Sequence, residues 1–133
     1  MATNLKVSIA AANTALNALA ALANGGYIDV YATAQPSTPE TAPGGTALAT
    51  LVLGSTAFAA ASGGVLTANA ISPVTIANTG TALWFRATES DHATPLWDGD
   101  IGTSGADMIL AATLLVAGAR LSVSSLTITM PAY

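Results

Sequence analysis

Two hydrophobic periods divide the chain. Over the first 23 residues, Leu5, Ile9, Ala12, Leu16, Leu19 and Ala23 recur at spacings of three, four and seven, which places them on one stripe of an amphipathic helix. Thr3 or Asn4 is positioned to cap its start, and Asn24-Gly25-Gly26 stops it. The stripe is narrow and lined with alanine, so it suits close packing on a sheet. After Gly26 the period becomes two. Residues 27–32 alternate as a half-buried strand does, with Ile28 and Val30 inward and Tyr27 and Tyr31 on the other face.

Residues 35–45 carry Pro36, Pro39 and Pro43 ahead of Gly44-Gly45, a long loop with neither period and a candidate contact element. Strand patterns follow at 47–53, 57–60 around Phe58, 65–68, 71–77, 82–88, 96–101, 108–110, 114–116 and 121–130. Pro73 marks 71–77 as an edge strand. The segment 82–88 is aromatic on both faces, as a central strand is. In the last strand the apolar phase slips by one residue at Ser124-Ser125, the signature of a β-bulge. Short strands separated by turns about every 8–12 residues predict a mainly β fold. The expected architecture is an antiparallel β-sandwich or partly closed barrel with one N-terminal α-helix. It forms a single domain over 1–133, with the helix in 1–24 and the β core in 25–133.

Composition then narrows the function. Charged residues make up 8% of the chain, against roughly 25% in typical soluble domains, while 52% is apolar and much of that is alanine. So few ionic groups leave a neutral, methyl-rich exterior of the kind that lies against another subunit. A homo-oligomer that also binds other proteins is the expectation. The net charge is −4, and three dispersed cations, Lys6, Arg86 and Arg120, cannot neutralise a row of phosphates. Nucleic acid is therefore excluded as a partner, and an anionic membrane surface is disfavoured. With no cysteine there is no disulfide framework, thiolate nucleophile or cysteine zinc site. The apolar run 5–23 approaches spanning length, but Asn13, Thr14 and Asn17 interrupt it. Lys6 and Ala18-Leu19-Ala20 loosely match a secretory signal and its cleavage site; a retained helix is the preferred reading.

Few residues offer chemistry. Asp98-Gly99-Asp100, with Asp107 seven residues on, is the best candidate for a cation site, since two aspartates one residue apart on a strand share a face. The spacing is not that of an EF-hand and no bidentate glutamate follows, so solvated turn carboxylates are the preferred reading. His92, the single histidine, sits beside Asp91 at a hairpin tip, and no serine lies in a nucleophile elbow. Glu89, Asp98 and Asp100 supply the carboxylates a glycosidase pair would need, without an aromatic cleft. Trp84 and Trp97 lie in apolar strands, where core packing is the simpler role than a sugar platform. The Gly-Gly pairs lack the lysine and helix of a phosphate loop. No catalytic, cofactor-binding or metal residue is assigned, and no enzyme activity or cofactor is expected.

The run Ile28-Asp29-Val30-Tyr31-Ala32-Thr33-Ala34-Gln35-Pro36-Ser37-Thr38-Pro39-Glu40-Thr41-Ala42 resembles a pattern found in small structural proteins of tailed-bacteriophage virions. Later stretches agree in order and wording: Leu48-Ala49-Thr50-Leu51, Phe58-Ala59-Ala60-Ala61-Ser62-Gly63-Gly64, Ala68-Asn69-Ala70-Ile71, Gly80-Thr81-Ala82-Leu83-Trp84-Phe85-Arg86 and Trp97-Asp98-Gly99-Asp100-Ile101-Gly102-Thr103-Ser104. The resemblance covers nearly the whole chain. It implies a virion component without catalytic residues whose partners are other virion proteins and copies of itself. A capsid decoration or cement subunit is the leading expectation, with a tail, baseplate or fibre-associated protein next and a carbohydrate-binding host-attachment module third.

Overall fold

Ser8, and not Thr3 or Asn4, opens the helix: its extended backbone ends the preceding coil, and its Oγ accepts the Ala11 N–H at 3.1 Å. The computed structural model describes residues 5–130, so Thr3 and Asn4 lie outside the described residues. The helix α1 spans Ile9–Ala23 and ends at Asn24, followed by Gly25 at φ 71°. It has no acid in its first turn and no base in its last, so nothing offsets the helix dipole and its stability comes from docking. Ala12, Leu16 and Ala23 of the predicted stripe are buried, whereas Leu5 and Ile9 are exposed. The two asparagines that interrupt the apolar run and the one that ends the helix fasten it: Asn13, Asn17 and Asn24 accept the backbone N–H groups of Gly64, Ala61 and Ala57 at 2.9, 2.8 and 2.9 Å. Among the described residues, no helix is long and apolar enough to cross a membrane.

The strands are β1 (Tyr27–Tyr31), β2 (Ala49–Val52), β3 (Val65–Thr67), β4 (Val74–Thr75), β5 (Gly80–Thr81), β6 (Trp84–Thr88), β7 (Pro95–Gly102), β8 (Met108–Leu110), β9 (Leu114–Leu115), β10 (Arg120–Leu121) and β11 (Val123–Thr129). Seven form one curled sheet, a half-barrel, in the order β2-β1-β6-β7-β8-β11-β3, while β10-β4 and β5-β9 are two-stranded ribbons. The mainly β class with one N-terminal helix and partial closure is therefore the observed architecture. Strict antiparallel pairing is not, because β7 and β8 run parallel through Ile101↔Met108 and Gly102↔Ile109. A parallel pair ordinarily needs a crossover of about a dozen residues. Here the chain doubles back within 103–107, using Gly105 at φ 65°. The missing first rung is made by side chains: Asp107 N–H donates to Asp100 Oδ1 at 2.9 Å and Asp100 N–H to Asp107 Oδ2 at 3.2 Å.

The core lies on the concave face, where Ile28, Val30, Leu51, Leu66, Phe85, Met108, Leu110 and Leu126 meet Leu16 of α1. Gly99 belongs to this packing, since a Cβ there would stand 2.5 Å from the Phe85 ring directly across the β6–β7 pair. The β11 register shifts between Val123 and Ser125, where the sequence places the bulge. The predicted strand 57–60 reduces to a single bridge, Phe58↔Ala68. Segment 71–77 keeps strand pairing only at β4.

Candidate functional site

β6 is buried along its whole length, although only Phe85 and Ala87 face the core. Trp84, Arg86 and Thr88 point to the convex face, and Arg86 draws the Thr38–Thr41 turn of the proline-rich loop onto the sheet. Arg86 is the anchor. Its Nε and one terminal nitrogen meet Asp98 Oδ1 and Oδ2 at 2.7 and 2.9 Å, and the other terminal nitrogen donates to the Thr41 carbonyl at 2.7 Å. The two side chains are 8% and 3% exposed, so this is a buried, two-pronged ion pair whose remaining donors hold the loop. The bond from Asp98 holds the guanidinium protonated more firmly than usual. Tyr31 stacks on Trp84 at 4.6 Å between ring centres, and Arg86 lies 5.3 Å from the Trp84 ring. Burial, with Asp29 second, pushes the Tyr31 hydroxyl above its ordinary pKa.

Strand register sets the neighbouring groups in rows. Asp29 stands opposite both Thr50 and Arg86, and Arg86 opposite Asp98. Asp29 accepts from Thr50 Oγ1 at 2.5 Å, and both its oxygens meet His92 Nε2, at 3.1 and 2.9 Å. The His92 ring stacks on Tyr27 at 4.3 Å. Sequence reasoning set His92 beside Asp91; the fold instead brings it to Asp29, 63 residues away in the chain. Asp91 serves its own turn, accepting from Ala93 N–H, Thr94 N–H and Thr94 Oγ1, and the Thr94 hydroxyl draws its pKa down. Histidine, carboxylate and hydroxyl thus meet, but in the wrong order for a nucleophile. Thr50 and the imidazole both address the carboxylate, so the hydroxyl proton points to Asp29 and not to the imidazole.

The three aspartates singled out in the sequence are divided. Asp98 is neutralised by Arg86, while Asp100 and Asp107 tie β7 to β8. No group of three or more potential metal ligands occurs among the described residues. Burial of its carboxyl raises Asp107 above its ordinary value of 3.8, and the neighbouring Asp100 carboxyl adds to this, while the Asp100 backbone N–H works against it. The residue is otherwise exposed, so solvent screening keeps the energetic effect small. A folded-state pKa raised in this way contributes stability that is complete below 3.8 and is lost as pH climbs through the raised value. Asp107→Asn keeps an acceptor for Asp100 N–H and removes that loss. In urea titrations at pH 3 and pH 7 the variant should gain on the wild type by a few tenths of a kcal/mol. A wild type that gains on the variant over this interval contradicts the assignment.

Trp84, 1% exposed, offers no sugar platform, and Trp97 packs on the core beside Phe58 at 5.9 Å. The cavity beside Trp97, Asp98 and Asp107 measures about 230 Å³, below the ~300–1,000 Å³ usual for ligand pockets. Glu89 stands in the hairpin tip, where its backbone carbonyl accepts the His92 N–H at 3.0 Å.

Charge is segregated over the surface. Asp29, Asp98 and Asp100 belong to the convex face; Glu40, Glu89, Asp91 and Asp107 belong to the loop, tip and connection that border it. By contrast, α1 contains no ionic residue. In the β5–β9 ribbon the register Thr81↔Leu114 turns Leu115 to the core and Leu114 outward. Two residues on from Thr81 and Leu114 come Leu83 and Val116. Leu83, Leu114 and Val116 are 49%, 64% and 52% exposed, and Leu114 and Val116 line a shallow cavity that Arg120 borders. Sequence reasoning anticipated a neutral exterior but not where it would lie, because β5 and β9 are too short to be read as a pair. Comparison with protein-family models, curated proteins and solved structures gives no match.

Proposed function

We propose that the protein is a non-enzymatic structural subunit of a bacteriophage virion, a capsid decoration or cement protein that works through contacts with capsid proteins and with copies of itself. The observation that carries this reading is the separation of surfaces. The acids are gathered on and around the convex face, while Leu83, Leu114 and Val116 are exposed in and beside the β5–β9 ribbon and the helix carries no ionic residue. A contact made mainly through apolar side chains is little affected by ionic strength, unlike an ion-pair interface. The segment-by-segment resemblance to small virion proteins supports the same conclusion.

The test is addition of the purified protein to undecorated capsids built from the shell protein of the same source, with its own mass in solution measured in parallel. Binding should persist in 1 M salt, where screening reaches about 3 Å, and should weaken at least tenfold in a Leu83→Lys/Leu114→Lys variant that remains folded. A well-behaved monomer that ignores capsids overturns the decoration role. Assembly into rings or tubes without capsids also overturns it and directs the reading to the tail.

A further inference from the structure

The hairpin between β6 and β7 folds its tip, residues 89–94, back over the convex face of β1, and one residue makes the attachment. His92 stacks on Tyr27 and places Nε2 against both Asp29 oxygens. It holds φ at 57°, the one residue other than glycine with positive φ among the described residues. Such a backbone is tolerated when surrounding contacts impose it, and it has reason to relax when they weaken. The imidazole is 41% exposed and Asp29 only 14%, so solvent protons reach the histidine while the carboxylate stays covered.

We infer that this tip is a proton-operated latch, docked on β1 while His92 is charged and loosened when the imidazole loses its proton. A charged donor on a carboxylate makes a bond roughly twice as strong as a neutral one. The neutral ring can still donate to Asp29, so the latch weakens and does not break outright. Histidine changes charge between about pH 5 and 8, and this chain has only one. The groups facing it are accounted for. From β1 come Tyr27 and Asp29, and Thr50 of β2 reaches it only through Asp29. Arg86 of β6 stands opposite Asp29 but commits its guanidinium to Asp98, Thr41 and Thr38. Within the tip, Asp91 is occupied by Ala93 and Thr94, and the Glu89 backbone carbonyl accepts the His92 N–H at 3.0 Å. Release uncovers Tyr27 and Asp29, adding an aromatic ring and an anion to the convex face.

The experiment is proton NMR of the full chain between pH 5 and 8. It follows the cross-relaxation between the His92 and Tyr27 rings and the chemical shifts of the Tyr27 ring protons, on which residue 92 of the docked tip lies. In the wild type the docked-to-released ratio should fall about two- to fivefold across this range, the size of a half-exposed ion pair. His92→Asn keeps a side chain that accepts positive φ and cannot titrate, and Asp29→Asn removes the anion while leaving the histidine. The Tyr27 ring shifts in His92→Asn, and the ring contact in Asp29→Asn, should be flat with pH. A wild type that does not change overturns the latch, as does an equal pH response in all three proteins.

Discussion

Arg86→Met lowers stability by about 3–5 kcal/mol, the cost of leaving a buried carboxylate without its partner. Asp98 is 3% exposed and hydrogen-bonded to two guanidinium nitrogens, so the truncation strands a charge that water cannot reach. The loop is lost with it, because the Thr41 and Thr38 carbonyls are held by the same side chain at 2.7 and 3.4 Å. Removing both charges tells a different story. Arg86→Met/Asp98→Leu should recover most of the deficit, since replacing a buried ion pair by apolar groups is often neutral. Urea midpoints for the two single variants, Arg86→Met and Asp98→Leu, and the double variant form the measurement. An Arg86→Met loss under about 1 kcal/mol would place the pair among solvent-screened surface bridges.

Gly26→Ala is expected to cost about 3 kcal/mol, and the reason is space. A Cβ at Gly26 would stand 2.2 Å from the Thr88 carbonyl oxygen and 2.9 Å from that of Ala23. Neither atom can rotate away. Thr88 is held in β6 between Tyr27 of β1 and Pro95 of β7, and the Ala23 carbonyl accepts the Gly26 N–H itself at 2.9 Å. Relief requires prising β6 from the α1–β1 junction, with Leu53 N–H, bonded to the Gly26 carbonyl at 2.9 Å, drawn along. Its neighbour gives the control. A Cβ at Gly25 would meet only Ser90 Cβ, in ordinary contact at 4.0 Å, but φ is 71°, so Gly25→Ala should cost only about 1–2 kcal/mol of left-handed strain. Thermal melts of the two variants should therefore separate clearly, with Gly26→Ala much the lower. Equal melting points would mean that the close approach to Thr88 is not maintained in solution.

Much of the architecture was legible because it rests on local alternation. Tyr27 to Ala32 reads as a strand from its own residues, and the phase slip at Ser124-Ser125 places the bulge without reference to any neighbour. The two-faced burial of Trp84 and Phe85 follows from aromatic residues at successive positions. The helix start was misplaced since Thr3, Asn4 and Ser8 are all competent caps; the Asn13, Asn17 and Asn24 bonds to residues 57–64 fix where the helix lies. The parallel β7–β8 pair was not legible, because a five-residue connection ordinarily signals a hairpin and the Asp100–Asp107 exchange replaces the first rung.

The residues of the convex site were each visible, but their partnerships were not. Asp98 was grouped with Asp100 by spacing, yet the β6–β7 register gives it to Arg86. His92 was grouped with Asp91 by adjacency, and strand curvature delivers it to Asp29. Alternation, turn chemistry and charge scarcity act within a few residues of themselves, so the amino-acid order alone determines a β-rich chain with a leading helix and a largely neutral exterior. Which carboxylate is neutralised, which loop is strapped down and where the uncharged surface emerges depend on contacts between residues tens of positions apart. Those are settled only when the sheet curls and its register brings particular side chains within hydrogen-bonding reach.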